Sequence, residues 1–163
     1  DCGTYQLYIT IEKSICIRVG ALGKVEFEPG NYVYTGRAKK GLQARLLRHQ
    51  KKDKPLWWHI DYLLHHPAVK LIRAEIVSTD AEAECDENQQ LLKQEGMRIA
   101  VPGFGASDAV PDAGDIWRGY PHHNHLTRLR FFTSELFYLT SSIYEESTMA
   151  YNHMPPITTK LTQ

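Results

Sequence analysis

Hydrophobic positions along the first third of the chain recur at every second residue. GTYQLYITI, residues Gly3–Ile11, carries Tyr5, Leu7, Ile9 and Ile11 on one face. A period of two built from aromatic and β-branched side chains predicts a strand with a buried face. SICIRV, residues 14–19, predicts a second strand, joined to the first as a hairpin through Glu12 and Lys13; GALG, residues 20–23, predicts a turn. KVEFEPG continues in extended form, and NYVYTG, residues 31–36, predicts a short strand with Tyr32 and Tyr34 on one face.

The period then changes. In LQARLLRHQ, Leu42–Gln50, a helix is predicted with Leu42, Leu46 and Leu47 toward the core. PLWWHIDYLLHH, residues 55–66, predicts a second helix, with Pro55 in its first turn and Pro67 beyond its end. VKLIRAEIV, residues 69–77, predicts a strand. Thr79 with Glu82 three residues on matches a capping box, opening a helix to about Glu95 with Ala81, Cys85 and Leu92 as its buried stripe and Glu84 at the border. Residues 101–125 are dense in Gly, Pro, Asp and Ser and predict a long irregular loop. LTRLRFF, 126–132, predicts a late strand, and residues 133–146 a last helix.

Strands gathered early, then helices, rather than a strict βαβ alternation, predict an α+β fold. We expect a small antiparallel or mixed central sheet flanked by helices. It forms a single domain over residues 1–147, with an extra C-terminal strand and helix, and 148–163 as a flexible C-terminal tail. A length of 163 residues suits one domain, and 42% hydrophobic residues suffice for a core. Three cysteines without CxxC spacing argue against a disulfide scaffold and point to a reducing, cytoplasmic setting. No apolar run approaches the roughly 20 residues of a membrane span, and no secretory signal pattern is expected.

Lysines and arginines balance acids at 19 each, so net charge points to no partner. Distribution changes the picture. Between Arg37 and Lys54 stand eight basic residues (Arg37, Lys39, Lys40, Arg45, Arg48, Lys51, Lys52, Lys54) against Asp53. Between Asp80 and Glu87 stand five acids and no base. A phosphate-gripping surface beside a metal-binding carboxylate would use this pattern, and so would two solvated surfaces. Arg45 and His49 share one face of the predicted helix, and antiparallel neighbours would bring Tyr5 beside Tyr34.

GTY, YVYTG and the Arg45, His49 and Glu84 that follow resemble the GIY-YIG nuclease superfamily. GTYQLYI, VGALG, GLQARLLRH, WHIDYLL, AEC and PGFGASD resemble its small prokaryotic Uri-type branch, over roughly residues 3–108. The resemblance implies a divalent-metal endonuclease that hydrolyses DNA phosphodiester bonds, with RNA left open, in a repair context with a repair-enzyme partner. It implies that Glu84 holds Mg2+ or Mn2+, in preference to Glu82 or Glu87. It implies that Arg45 clamps a phosphate oxygen, that Tyr5 orients or activates water with Tyr34 assisting, and that His49 orients or relays a proton. Arg37, Lys39, Lys40, Arg48, Lys51 and Lys52 would bind nucleic acid. The branch has a cysteine where Ala109 stands, and the asparagine that follows the acidic helix in many nucleases has no clear counterpart.

Other constellations stay open. His59 and Asp61 could reach the site or flank a core stripe of Trp57, Ile60, Leu63 and Leu64. His122, His123 and His125 could bind a transition metal or lie on a surface loop. Two alternatives to a nuclease share the same motifs: a nucleic-acid-binding module that does not cut, and a docking domain for a repair enzyme.

Overall fold

A computed structural model describes residues 1–105, 127–132 and 157–159. Its centre is β1 (Gly3–Ile11). Along its whole length β1 pairs antiparallel with β4 (Gly30–Ala38), Gly3 opposite Ala38 and Ile11 opposite Gly30. On its other side β1 pairs antiparallel with β5 (Val69–Ser78). The expected hairpin through Glu12 and Lys13 does not form. β2 (Ile15–Arg18) instead folds onto β3 (Lys24–Phe27) as a separate two-stranded sheet, turned by a single 3-10 turn at Gly20–Leu22. β1 has a long strand hydrogen-bonded along each edge, and the short β2 is left to its neighbour.

The main sheet is completed by β6 (Met97–Ile99), β7 (Leu129–Phe132) and β8 (Ile157–Thr159), in the order β6-β7-β4-β1-β5-β8. Five strands are antiparallel to their neighbours and β8 runs parallel to β5. The α+β class is therefore as the strand and helix order predicts. Residues 157–159, inside the segment expected as a flexible tail, form an edge strand; the final helix expected at 133–146 lies outside the described residues.

Helices cover both faces. α1 (Leu42–Gln50) and α2 (His59–His65) put Leu42, Leu46, Ile60, Leu63 and Leu64 into one core with Tyr5, Leu7, Ile9, Tyr32 and Tyr34. α3 (Glu84–Leu92) sets Leu91 against Val33 on the opposite face. Leu47, expected in the core, is 43% exposed: the buried stripe of α1 runs Leu42, Leu46, His49, and position 47 falls outside it. Among the described residues no helix is long and apolar enough to cross a membrane.

Two helix starts differ from expectation. α2 begins at His59, because the Asp61 carboxylate reaches back to the amides of Trp57 (3.1 Å) and Trp58 (3.0 Å), closing the helix start there. Ahead of α3 the cap is Asp80, whose carboxylate accepts from the Glu82 amide at 2.8 Å, so Thr79 is not the cap. α3 then buries Glu84, Asn88 and Leu91, spaced four and three apart. Cys85 and Leu92 are only half-buried, so Glu84 lies within the buried stripe rather than at its border.

Candidate active site

The β1–β4 register sets the site. Tyr5 stands opposite Gly36, and Tyr34 opposite Leu7, so the two tyrosines are diagonal neighbours on the face covered by α1. Gly36 leaves room for the Tyr5 ring: a Cβ there would lie 2.6 Å from both Cζ and Oη of Tyr5. The Tyr5 hydroxyl lies 2.8 Å from Nε2 of His49, which α1 presents from its buried stripe. Arg45, one turn earlier on α1, donates from Nη1 to the Arg37 carbonyl (3.1 Å) and stacks on Trp58, its Cζ 4.5 Å from the ring centre. Tyr5, Tyr34, Arg45 and His49 are thus gathered at one end of the sheet.

Burial dominates the titration of this pair. Desolvation pushes the Tyr5 hydroxyl well above the ordinary phenol value, with Tyr34 adding to it and Arg45 and Arg128 pulling back. Burial, followed by the charge of Lys54, lowers His49 to about 3, against an opposing contribution from Asp61. At neutral pH the two groups form a neutral hydrogen-bonded pair. Nδ1 of His49 is buried and has no hydrogen-bond partner among the described residues.

Glu84 joins this group through guanidiniums. Arg128 Nε sits 2.8 Å from Oε1 and its Nη2 donates to Oε2 at 3.2 Å, a two-pronged contact. Arg37 Nε lies 3.3 Å from Oε2, and its Nη1 bonds Glu82 at 2.9 Å. Strand alternation puts Arg37 on the face of Val33, so Glu84 approaches the end of β4 from the α3 side and the four-residue cluster from the α1 side. Asn88, on the same face of α3 as Glu84, donates to the Thr127 carbonyl at 2.7 Å and so holds the chain beside Arg128.

A divalent cation at Glu84 fits this arrangement poorly. One buried carboxylate already accepts from two guanidiniums, whose charge opposes a second positive group at the same oxygens. Among the described residues no group of three His, Cys, Asp or Glu could hold a metal. Charges of this sign suit a phosphate group better.

Several expected nucleic-acid contacts are committed elsewhere. Arg48 grips the fully buried Asp61 through Nη1 (2.8 Å) and Nη2 (3.0 Å) and donates to the Pro55 carbonyl. Lys52 Nζ donates to the carbonyls of Leu64 (2.6 Å), His66 (3.2 Å) and Val69 (2.7 Å), closing the C-terminal end of α2. Lys39 pairs with Glu82 at 3.2 Å in solvent, and Lys40 and Lys51 are exposed. Asp61 is therefore a framework acid, tying α1 to α2. His59 is buried, its Nδ1 accepting from the Gly105 amide at 3.0 Å and its ring against Phe104. His122, His123 and His125 lie outside the described residues.

Arg128 is not singled out by the sequence. Arg128 and Arg130 alternate with Leu129 and Phe131 in the late strand, which marks a polar face but names no partner for it.

A family model described as a domain of unknown function, DUF123, matches residues 4–129. The chain belongs to the DUF123 family. The DUF123 match takes in every residue of the cluster, from Tyr5 to Arg128. No curated protein and no solved structure gave a significant match.

Proposed function

We propose that this DUF123 domain is a phosphodiester hydrolase of the GIY-YIG kind, an endonuclease acting on DNA. One observation carries the proposal: the Tyr5 hydroxyl and His49 Nε2 meet at 2.8 Å beside Arg45, at the sheet end where Tyr34 also lies. Phosphodiester hydrolysis needs a group that receives the water's proton and a cation that holds the phosphate. The cluster supplies both.

Arg45 offers a planar fork to a nonbridging phosphate oxygen. Tyr5 and His49 supply a proton path. As the attacking water gives its proton toward the Tyr5 oxygen, the tyrosine proton passes to Nε2 of His49. In the free protein this is unfavourable, because burial holds His49 at about 3. A phosphate anion bound beside the imidazole favours its charged form and raises its affinity for a proton. Substrate binding thereby makes the pair basic where water must be activated. Tyr34 lies diagonally across from Tyr5 on the same face. Mg2+ or Mn2+, implied by the resemblance, has no fit at Glu84 as it is paired, so no step runs through it. Glu84 holds Arg37 and Arg128 at the end of β4 on the α3 side.

The pairing of Glu84 favours a second assignment, a nucleic-acid-binding module that does not cut. The two are separated by incubating the full chain with labelled single-stranded, flapped and duplex DNA, in Mg2+, in Mn2+ and in EDTA, beside Arg45→Ala. Cleavage by the wild type that Arg45→Ala loses supports the hydrolase. Binding without cleavage under all three conditions supports the module.

A further inference from the structure

Trp57 is 67% exposed, an unusual degree for the largest side chain. It is not loosely held. The buried Asp61 carboxylate accepts from the Trp57 amide at 3.1 Å and the Trp58 amide at 3.0 Å, fixing the backbone that carries both rings. Arg48, itself locked to Asp61, lies 4.7 Å from the Trp57 ring centre and 4.4 Å from that of Trp58. Arg45 lies 4.5 Å from the Trp58 ring centre on the same segment. The rings and guanidiniums form a preorganised cation–π assembly.

This assembly leads outward from the reaction centre. His49 bonds Tyr5, the His49 and Trp58 ring centres are 6.2 Å apart, and those of Trp58 and Trp57 are 6.1 Å apart. Two ring-to-ring steps thus join the buried imidazole to a solvent-facing indole.

We propose that Trp57 is a stacking platform for one unpaired nucleobase next to the phosphate held at Arg45, so that the domain prefers single-stranded or flapped DNA to intact duplex. The proposal rests on the hydrolase assignment and names its substrate class. An indole that is largely exposed, with one guanidinium over its ring, matches a ligand with a π-face on an anionic backbone. Within a duplex both faces of each base are already stacked, so the platform has nothing to receive. Arg45 beside Trp58 and the exposed Lys40 and Lys51 favour a polyanion over an apolar protein surface.

The test is fluorescence anisotropy of a labelled thymidine 12-mer and a labelled 12-base-pair duplex, in EDTA, with wild type, Trp57→Ala and Trp57→Phe. Loss of one base–aromatic stack is expected to weaken 12-mer binding roughly 5- to 150-fold in Trp57→Ala. Duplex binding stays near wild type, and Trp57→Phe recovers most of the loss. Binding of the unlabelled 12-mer should also quench intrinsic fluorescence in the wild type and quench it less in Trp57→Phe, a readout that does not depend on the alanine variant folding. Equal 12-mer affinity in wild type and Trp57→Ala overturns the platform, and cleavage by both proteins would leave the hydrolase standing. Trp57-dependent 12-mer binding by a wild type that cuts nothing keeps the platform and removes the hydrolase. A wild type that binds neither oligonucleotide, yet self-associates in sedimentation through Trp57, makes the ring a protein contact and overturns the proposal.

Discussion

The hydroxyl of Tyr5 lies 2.8 Å from Nε2 of His49, although the residues are 44 positions apart in the chain. Each group is shifted away from charge by burial, and each is the other's partner. A neutral pair of this kind has a measurable signature before any substrate is present.

His49 sits at about 3 in the folded protein against an unfolded value near 6.5. Below the unfolded value the unfolded chain takes up a proton that the folded chain refuses. Stability from this group is therefore complete above about pH 6.5 and declines as pH falls toward 3. Urea midpoints measured from pH 7 to pH 4.5 should fall in the wild type and fall much less in His49→Gln. Parallel curves for the two proteins would mean that His49 does not remain neutral in the folded state.

Glu84 separates two roles by stability alone. As the partner of Arg128 and Arg37, it should cost about 1.5–3 kcal/mol to neutralise, the range for a hydrogen bond to a charged group. Glu84→Gln, unfolded by urea in EDTA, should show that loss. A carboxylate kept only to bind a metal would instead leave stability unchanged, or improve it, when no metal is present.

Gly36 tests the close approach beneath Tyr5. A methyl group there would meet Tyr5 Cζ and Oη at 2.6 Å, and the Tyr5 ring is buried with little room to retreat. Gly36→Ala should destabilise by about 1–3 kcal/mol through overpacking. It should also break the Tyr5–His49 contact, visible as a His49 imidazole resonance that shifts although the substitution lies on another strand. An unshifted resonance and an unchanged midpoint would contradict the packing.

The two neighbouring lysines should behave differently. Lys51 is exposed, and if it meets a phosphate its loss lowers the salt dependence of DNA binding by about 0.7 to 0.9 in log–log slope. Lys52 closes the end of α2 on three carbonyls. Lys52→Ala should lower the melting temperature and leave that slope near wild type. Titration of both single variants at four salt concentrations, with melts alongside, checks the contrast.

Much of the fold is written in local pattern. The alternation in Gly3–Ile11 and the helical spacing in Leu42–Gln50 give β1 and α1 to the residue, and the two tyrosine motifs fall on paired strands. What pattern cannot express is choice among partners. The chain order of β1 and β2 suggests a hairpin, yet the edges of the long β1 pair with the similarly long β4 and β5, which the four-residue β2 cannot match. Arg48 and Lys52 read as surface charge because nothing local shows a buried Asp61 or the free carbonyls at the end of α2. Arg128 lies 44 residues after Glu84, too far for any spacing rule to join them.

The most direct measurement is the nicking rate of labelled flapped DNA by wild type and Tyr5→Phe, at matched protein concentration in Mg2+, Mn2+ and EDTA. Phenylalanine keeps the ring over Gly36 and removes only the hydroxyl that meets His49. A proton-transferring Tyr5 predicts cleavage by the wild type and a loss of roughly 10²–10⁴-fold in Tyr5→Phe, with DNA binding retained. Undiminished cutting by Tyr5→Phe, or a wild type that cuts no substrate under any of the three conditions, would contradict it.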